Sequence, residues 1–381
     1  MLDLDKAATT PVRREALEAM WPYLTGEYGN PSSVHGPGQR AAGALEDARR
    51  QVAAMLGARA GEVVFTSGGT EAINFIIKGI ALAQPRGKHV LVAATEHEAV
   101  LASADALAKW HGFDVERIPV GATGLVEPAV LRALLRTDTT LVSIALANNE
   151  VGTVQPVAEL AALTHEVGAA FHTDAVQAAG WLSLQVADLG VDAMSLSGHK
   201  FGAPKGIGAA WVRGRLQVEP LLHGGGQERG RRSGTENVAG AVAFGVAATL
   251  TEQERLATDD VALAATRDAF AAALLAEVPT ARLTGDPVHR LPGHLSVTLG
   301  AVSGESVLLE LESAGVLASS GSACHAGSDE PSPTLLAMGI APEVAQTALR
   351  FTFGREVARA DLQRVAAAVG QAVSALTGGG W

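Results

Sequence analysis

The sequence predicts an α/β protein with a large, mostly parallel β-sheet and a smaller α+β domain. Short apolar runs alternate with helical patterns from about residue 60 to 215, as in a sheet covered on both faces by helices. Polar motifs follow directly after several of these runs, where ligands bind in such sheets. We expect residues 15–255 to form the large domain, and residues 1–14 with 256–381 to form the small one.

The elements of the large domain follow from this alternation. The predicted strands are Glu62–Thr66, His89–Ala94, Thr140–Ala147, Ala169–Thr173, Asp192–Leu196 and Gly208–Val212. The predicted helices are Glu71–Ala83, Ala99–His111, Ala129–Leu135 and Val157–Val167. One long Ala-rich helix is expected from about Ala239 to Glu277, bridging the two domains.

The last third of the chain has a different order of elements, which indicates the α+β domain. The predicted strands are His294–Leu299, Val316–Ala318 and Leu349–Phe353, and the predicted helices are Glu305–Ser313 and Ala360–Leu376.

Composition narrows the class of protein. The chain has 381 residues, of which 48% are apolar and 18% charged, so a sizeable core is expected. It shows neither an apolar run of the ~20 residues that a membrane span needs nor a signal-peptide pattern. Cys324 is the only cysteine, which excludes an internal disulfide, and we expect a cytoplasmic protein. The net charge of −11 argues against direct nucleic-acid binding.

Lys200 is the most informative residue. It ends SLSGHK, directly after a predicted core strand. An unpaired ammonium is costly to bury, whereas an amine of lowered pKa can form a Schiff base with a carbonyl such as that of pyridoxal phosphate (PLP). The alternative is a solvated loop lysine.

Two further strand ends suit such a cofactor. TSGGTE, at residues 66–71, opens a helix after a strand, and its amides could bind a phosphate together with Ser197 and His199. Asp174 follows another strand and could pair with a protonated pyridine nitrogen, while Gln177 could bind the phenolic oxygen. Plain helix capping is the alternative for both motifs.

Other candidates have equally plain alternatives. His97 could stack on the ring and act as an acid or base, or be structural. Asn149 could donate to the cofactor or substrate, or serve a turn. Arg350 could pair with a substrate carboxylate, or lie at the surface. Cys324, in a Gly- and Ser-rich segment, is predicted to be an exposed reactive thiol rather than a small core residue.

These motifs together resemble the class I cysteine desulfurases of the NifS/IscS type, within the class V aminotransferase family of fold-type I PLP enzymes. The resemblance covers essentially the whole chain. It rests on YGNPSSVHGPG, TSGGTEAIN, ATEHEAV, LANNEVGTVQP, HTDAVQAAG, SLSGHK, GGGQERGRRSGTEN, SSGSACHAG and LRFTFGR, in the order of the family. Lys6, Ile73 and His325 depart from the usual pattern, at positions outside the predicted chemistry.

The resemblance implies a role for each motif. Lys200 would bind PLP covalently, His97 would stack on its ring, and Asp174 and Gln177 would bind its nitrogen and phenolic oxygen. Gly69, Thr70, Ser197 and His199 would bind the phosphate, and Thr235 would reach the phosphate of the other subunit in a homodimer. Asn149 and Arg350 would hold L-cysteine. Cys324 would accept the sulfur. No metal site is expected, apart from a possible transient iron–sulfur ligation by Cys324.

The implied function is conversion of L-cysteine to L-alanine, with the sulfur passed as a Cys324 persulfide to an iron–sulfur scaffold or a tRNA-thiolating enzyme. A selenocysteine lyase, another class V aminotransferase and a catalytically silent scaffold remain as alternatives.

Overall fold

The computed structural model describes residues 1–83, 86–300, 302–320 and 330–378. The strands in these ranges are β1 Leu2–Asp3, β2 Val63–Thr66, β3 His89–Ala93, β4 Asp114–Ile118, β5 Thr139–Ser143, β6 Ala170–Asp174, β7 Ala193–Ser197, β8 Gly208–Val212, β9 Arg282–Leu283, β10 His294–Thr298, β11 Val316–Leu317 and β12 Ala348–Thr352. The α-helices are α1 Arg14–Leu24, α2 Gly36–Leu56, α3 Gly69–Ala83, α4 Glu98–His111, α5 Pro128–Leu134, α6 Val157–Glu166, α7 Val186–Leu189, α8 Val238–Ala257, α9 Val261–Glu277, α10 Gly304–Ser313, α11 Pro333–Ala337, α12 Pro342–Ala345 and α13 Arg359–Leu376.

The predicted large, mostly parallel sheet is confirmed. Its strand order in the described residues is β2-β8-β7-β6-β5-β3-β4. Strands β4, β3, β5, β6 and β7 run parallel, and β8 is antiparallel to both of its neighbours. The carboxyl ends of β3, β5, β6 and β7 therefore meet at one edge of the sheet, and each is followed by a polar motif singled out in the sequence.

Several elements differ from the prediction. Strand β4 was missed because it is an edge strand with the sequence DVERI, whose partly exposed charged side chains hide the apolar pattern. The single long helix from Ala239 to Glu277 is wrong: it is broken into α8 and α9. Thr258 is extended and ends α8, and Asp259 Oδ1 accepts a hydrogen bond from Val261 N in a local turn that precedes α9. Helices α1 and α2 were not predicted.

The apolar side chains separate into distinct clusters. Two of them lie on the large sheet and its helices. A third joins β10 and β12 to α9, α10 and α13, and includes Leu4 from the N-terminal segment. Strand β1 also pairs with β11, in parallel. These contacts support the proposed division, in which the first residues belong to the small domain.

A buried ion pair fixes the Gly/Arg-rich loop that precedes α8. Both guanidinium nitrogens of Arg49 bond to the Glu228 carboxylate, at 2.6 and 2.8 Å, and Phe65 N donates to the same carboxylate at 3.0 Å. Glu228 and Arg229 have φ values of 50° and 59°, a conformation that side chains other than glycine rarely adopt. The ion pair thus holds a strained turn against the sheet.

None of the helices in the described ranges combines the length and the apolar character needed to cross a membrane.

Candidate active site

A cavity of about 520 Å³ lies at the carboxyl edge of the large sheet. It brings together most of the residues that the sequence singled out. These are Gly69, Thr70, His97, Asn149, Asp174, Gln177, Ser197, His199, Lys200 and Arg350. These residues are distant in sequence but line one cavity. Each lies in or after a strand that ends at the cavity or passes beside it.

Lys200 enters the cavity on a short 3₁₀ turn, Gly198–Lys200, directly after β7. Its Nζ donates to the backbone oxygens of Ala7 and Ala8, at 2.5 and 2.9 Å. Backbone carbonyls accept these hydrogen bonds without adding a negative charge, so the amine is oriented beside the cavity. The alternative that Lys200 is a solvated loop lysine is therefore not supported by the structure.

One end of the cavity can bind an anion. Helix α3 begins at Gly69, and a Cβ there would lie 3.1 Å from Val176 Cγ2 and 3.2 Å from Ser197 Cβ, so a side chain would crowd this end. A helix N-terminus presents N–H donors and a positive dipole end. Ser197, His199 and Lys205 line the same cavity. Burial, together with the charges of Lys200 and Lys205, lowers the pKa of His199 to about 4.

Asp174 is buried at the end of β6. Its Oδ1 accepts hydrogen bonds from Val176 N at 3.0 Å and Ser195 Oγ at 2.9 Å. Burial raises the pKa of this carboxyl, while these donors and the charges of His97 and Lys200 act in the opposite direction. A cation bound beside Asp174 would favour its ionised form.

His97 and Gln177 are oriented by backbone contacts. His97 Nδ1 accepts from Ala99 N at 3.0 Å and so caps α4, which places the hydrogen of the neutral imidazole on Nε2. Gln177 Nε2 donates to Ala7 O at 3.1 Å. Both side chains line the cavity with Lys200 and Asp174.

Arg350 lies inside β12 rather than at the start of a strand, and it is 2% exposed, so the surface alternative is wrong. One terminal nitrogen donates to Asn149 O at 3.0 Å and the other to Asp5 Oδ1 at 2.9 Å. Its buried Nε has no hydrogen-bond partner among the described residues. The guanidinium reaches the cavity already paired with a carboxylate of this chain.

The N-terminal segment is the part of the site that the sequence did not reveal. Asp5 pairs with Arg350, Ala7 and Ala8 hold Lys200, and Thr9 Oγ1 lies 3.1 Å from His199 Nδ1. The motif DKAATT precedes every predicted element and carries no strand or helix pattern. The aspartate and the threonines of this motif were the features of the sequence that could have indicated its role in the site.

Two further glutamates, the buried Glu96 and the half-buried Glu150, were also missed. Glu96 accepts from Ala145 N at 2.7 Å, and burial raises its pKa well above the usual value, with a further contribution from the charge of Asp174. Glu150 accepts hydrogen bonds from the hydroxyls of Ser332 and Thr334, the latter at 2.9 Å. Burial raises the pKa of Glu150 as well.

Among the described residues, Thr235 is the predicted site residue that is not brought into this cavity. Thr235 is exposed and lines a separate cavity of about 180 Å³ with Arg232 and Glu228. Cys324 lies outside the described residues. The described chain on either side of it is nevertheless attached at the site: Ser319 and Arg350 exchange backbone hydrogen bonds at 2.6 and 3.1 Å, and Ser332 bonds to Glu150.

The donor set fits PLP. Lys200 would supply an amine for its aldehyde, Asp174 a carboxylate for its ring nitrogen, and Gln177 an amide for its phenolic oxygen. The N-terminus of α3, with Ser197 and His199, offers hydrogen-bond donors for its phosphate. A group of three or more metal-ligating side chains does not occur within the described ranges.

Comparison with known proteins gives one family. The profile described as aminotransferase class-V matches residues 3–365. A protein named cysteine desulfurase IscS from Methanosarcina thermophila is 45% identical over 374 residues, which is 98% of this chain and 92% of that protein. A solved NifS-like protein superposes with a TM-score of 0.89 at 33% identity, covering 99% of both chains. The structure of SspA in complex with cysteine gives a TM-score of 0.81 at 34% identity, covering 93% of this chain and 99% of the other.

The buried histidine next to Glu150 gives a pH-dependent prediction. His294 Nε2 contacts Glu150 O at 3.0 Å, and burial lowers the pKa of this imidazole to about 3. Since its folded pKa lies below the unfolded value, His294 contributes stability above pH 6.5 that is lost as the pH falls toward 3. Between pH 6.5 and 4.5, wild type should lose about 1.4 kcal/mol per pH unit more than His294→Gln.

Urea unfolding of both proteins at several pH values measures this difference. The raised carboxyl pKa values act equally in both proteins and cancel. Parallel pH profiles would contradict the prediction.

Proposed function

The chain belongs to the class-V aminotransferase family of PLP-dependent enzymes, and from this premise we propose that it is a cysteine desulfurase with Cys324 as its sulfur acceptor. In this proposal L-cysteine is converted to L-alanine and the sulfur remains on Cys324 as a persulfide. The observation that carries the proposal is the arrangement of Lys200, Asp174 and the N-terminus of α3 around one cavity. The relatives named as cysteine desulfurases favour this reaction over a selenocysteine lyase or another aminotransferase.

We assign the cofactor contacts as follows. Lys200 anchors PLP, Asp174 binds its ring nitrogen, Gln177 its phenolic oxygen, and His97 covers its ring. Its phosphate binds to Gly69, Thr70, Ser197 and His199. When bound, PLP supplies an electron sink for charge that develops at the α-carbon of the substrate.

Lys200 has two successive tasks in the proposed reaction. Its amine would hold the cofactor, and when free it would accept the proton from the substrate α-carbon. The carbonyls of Ala7 and Ala8 are suited to the second task, because they can accept both hydrogens of the neutral amine and leave its lone pair for the incoming proton. The free amine therefore stays beside the cavity instead of turning away.

Sulfur transfer needs a thiolate on Cys324. Its sulfur attacks the substrate sulfur, an S–S bond forms, and the Cβ–S bond breaks with its electron pair left on the carbon side, which leaves as alanine after protonation. A thiol with the ordinary pKa of ~8.5 is only a few per cent ionised near neutrality. His97 lines the cavity and, with its hydrogen on Nε2, is proposed as the proton donor to the carbon side.

The substrate carboxylate is proposed to bind Arg350, with Asn149 beside it. Arg350 is bonded to Asp5 and to the backbone of Asn149, so its plane is fixed before the substrate arrives. A fixed guanidinium loses less conformational entropy on binding than a mobile one. The nearby Asp5 carboxylate offsets part of its charge, so we expect the contact to orient the substrate more than to add affinity.

A homodimer completes the proposal. Leu17, Trp21 and Leu24 form one face of α1 and are 51%, 61% and 55% exposed. Large apolar faces of this kind mark protein interfaces. Thr235, on an exposed loop, would then reach the phosphate site of the second copy. The onward acceptor is proposed to be an iron–sulfur scaffold or a tRNA-thiolating enzyme, with transient iron–sulfur ligation by Cys324 possible, in a cytoplasmic setting.

Lys200→Ala should abolish the visible absorbance of covalently bound PLP and all alanine formation, because the anchoring amine is gone. Lys205→Ala is the matched control: it removes a second amine from the same cavity and should keep the absorbance band. An unchanged band in Lys200→Ala would refute the assignment.

Cys324→Ala should bind PLP and L-cysteine as wild type does but form alanine at least about a hundredfold more slowly, because no thiolate attacks the substrate sulfur. Alanine release and the mass of wild type after reaction with cysteine are measured. Undiminished alanine release, or wild type without added sulfur on Cys324, would favour a lyase or an aminotransferase.

Trp21→Glu should convert the homodimer to a monomer and weaken PLP binding, since a charge on this face opposes burial against a second copy. Trp110→Glu is the control, because Trp110 is 70% exposed on α4. Sedimentation gives the mass of each. A dimeric Trp21→Glu protein with full PLP content contradicts the proposed interface.

A further inference from the structure

A line of buried polar side chains lies behind Asp174. Ser195 Oγ donates to Asp174 Oδ1 at 2.9 Å and lies 3.3 Å from His172 Nε2, and His172 Nδ1 lies 2.8 Å from Ser143 Oγ. Asp174 pairs in register with Ser195, and His172 with Ser143, on adjacent strands. None of the three lines the cavity. We call Ser143, His172 and Ser195 the relay.

The hydrogens of the relay have one consistent direction. Ser195 has a single hydroxyl hydrogen, and it is donated to Asp174, so Ser195 Oγ must accept from His172 Nε2–H. A neutral imidazole with hydrogen on Nε2 has a bare Nδ1, which accepts from the Ser143 hydroxyl. His172 is neutral, because complete burial lowers its pKa to about 3. Each hydrogen therefore points toward Asp174.

This direction matters for the carboxylate. Aligned hydrogen bonds polarise one another, so the donor that reaches Asp174 is strengthened by the two behind it. If His172 carried its hydrogen on Nδ1, Nε2 would compete with Asp174 for the hydrogen of Ser195. The other titratable groups that act on Asp174 are Lys200, His97 and Glu96, and they reach it from other elements.

We propose that His172 is a positioning residue that, through Ser195, keeps the hydrogen of that serine on Asp174 and so holds Asp174 in the form that pairs with the ring nitrogen of PLP. The inference rests on the proposed function and extends it to a residue that touches neither cofactor nor substrate.

PLP affinity of the purified protein tests the proposal without measuring turnover. His172→Phe keeps a planar, somewhat larger ring but cannot donate, and its PLP dissociation constant should rise about tenfold. Ser195→Ala removes the last donor and should show the same loss. His172→Gln has an amide N–H near the position of Nε2 and should stay within about threefold of wild type.

The absorbance of the Lys200-bound cofactor is a second readout. A ring nitrogen that is less firmly protonated withdraws fewer electrons, so the pH midpoint of the absorbance change should move upward in His172→Phe and in Ser195→Ala. A role in packing alone would not move this midpoint.

The relay also predicts non-additivity. In the Ser195→Ala background, adding His172→Phe should change PLP affinity less than about twofold, because the path to Asp174 is already broken. His89→Phe is the control, since His89 is equally buried and bonds to Thr139 Oγ1 at 2.8 Å, but at the opposite end of the sheet. It should retain wild-type PLP affinity.

Each outcome decides the proposal. Wild-type affinity in His172→Phe, additive losses in the double variant, or an equal loss in His89→Phe would overturn it. If His172→Phe does not fold, Ser195→Ala carries the test, and unchanged affinity and midpoint in that variant overturn the proposal. A wild type that binds no PLP would instead contradict the proposed function.

Discussion

The structure depends on how charged groups are held out of water at one edge of a parallel sheet. Parallel strands align their carboxyl ends, so side chains placed after β3, β5, β6 and β7 converge in a region that helices cover. A buried charge is costly unless it is paired or hydrogen-bonded. Asp174 meets this requirement with Val176 and Ser195, and Lys200 with the carbonyls of Ala7 and Ala8. The residues proposed for the chemistry, Asp174 and Lys200, are therefore the same residues whose charges the protein compensates.

The same requirement connects the cavity with the segment that carries Cys324. Glu150 is a half-buried glutamate at the end of NNE, and the hydroxyls of Ser332 and Thr334 donate to it from the chain that follows that segment. On the other side, Ser319 pairs with the backbone of Arg350. Residues proposed to bind substrate thus adjoin the described chain on both sides of Cys324.

Much of this arrangement could be predicted from the sequence, and the limits have physical causes. Lys200 and Asp174 were identified because each follows a short apolar strand, and local pattern reveals where such a strand ends. Asp5 could not be identified as the partner of Arg350, since the two are brought together only by the pairing of β1 with β11 and of the N-terminal segment with β12. Strand β4 was hidden by its edge position. Thr235 is the reverse case: its motif was visible, but one chain does not bring it to the cavity.

The attachment of Asp5 and Ala7 to β12 has a consequence for the order of assembly. Asp5 bonds to Arg350, and Ala7 N donates to Thr352 Oγ1, across separations of 345 residues. The ribosome makes Asp5 and Ala7 long before Arg350 and Thr352. Contacts between distant parts of a chain also form slowly. The large sheet can form before the N-terminal segment has bonded to β12. The bonds of Asp5 and Ala7 to β12 form only after that strand has emerged, so a prematurely terminated chain can contain the sheet and every residue of the SGHK motif and still lack this anchor of the segment that contacts Lys200.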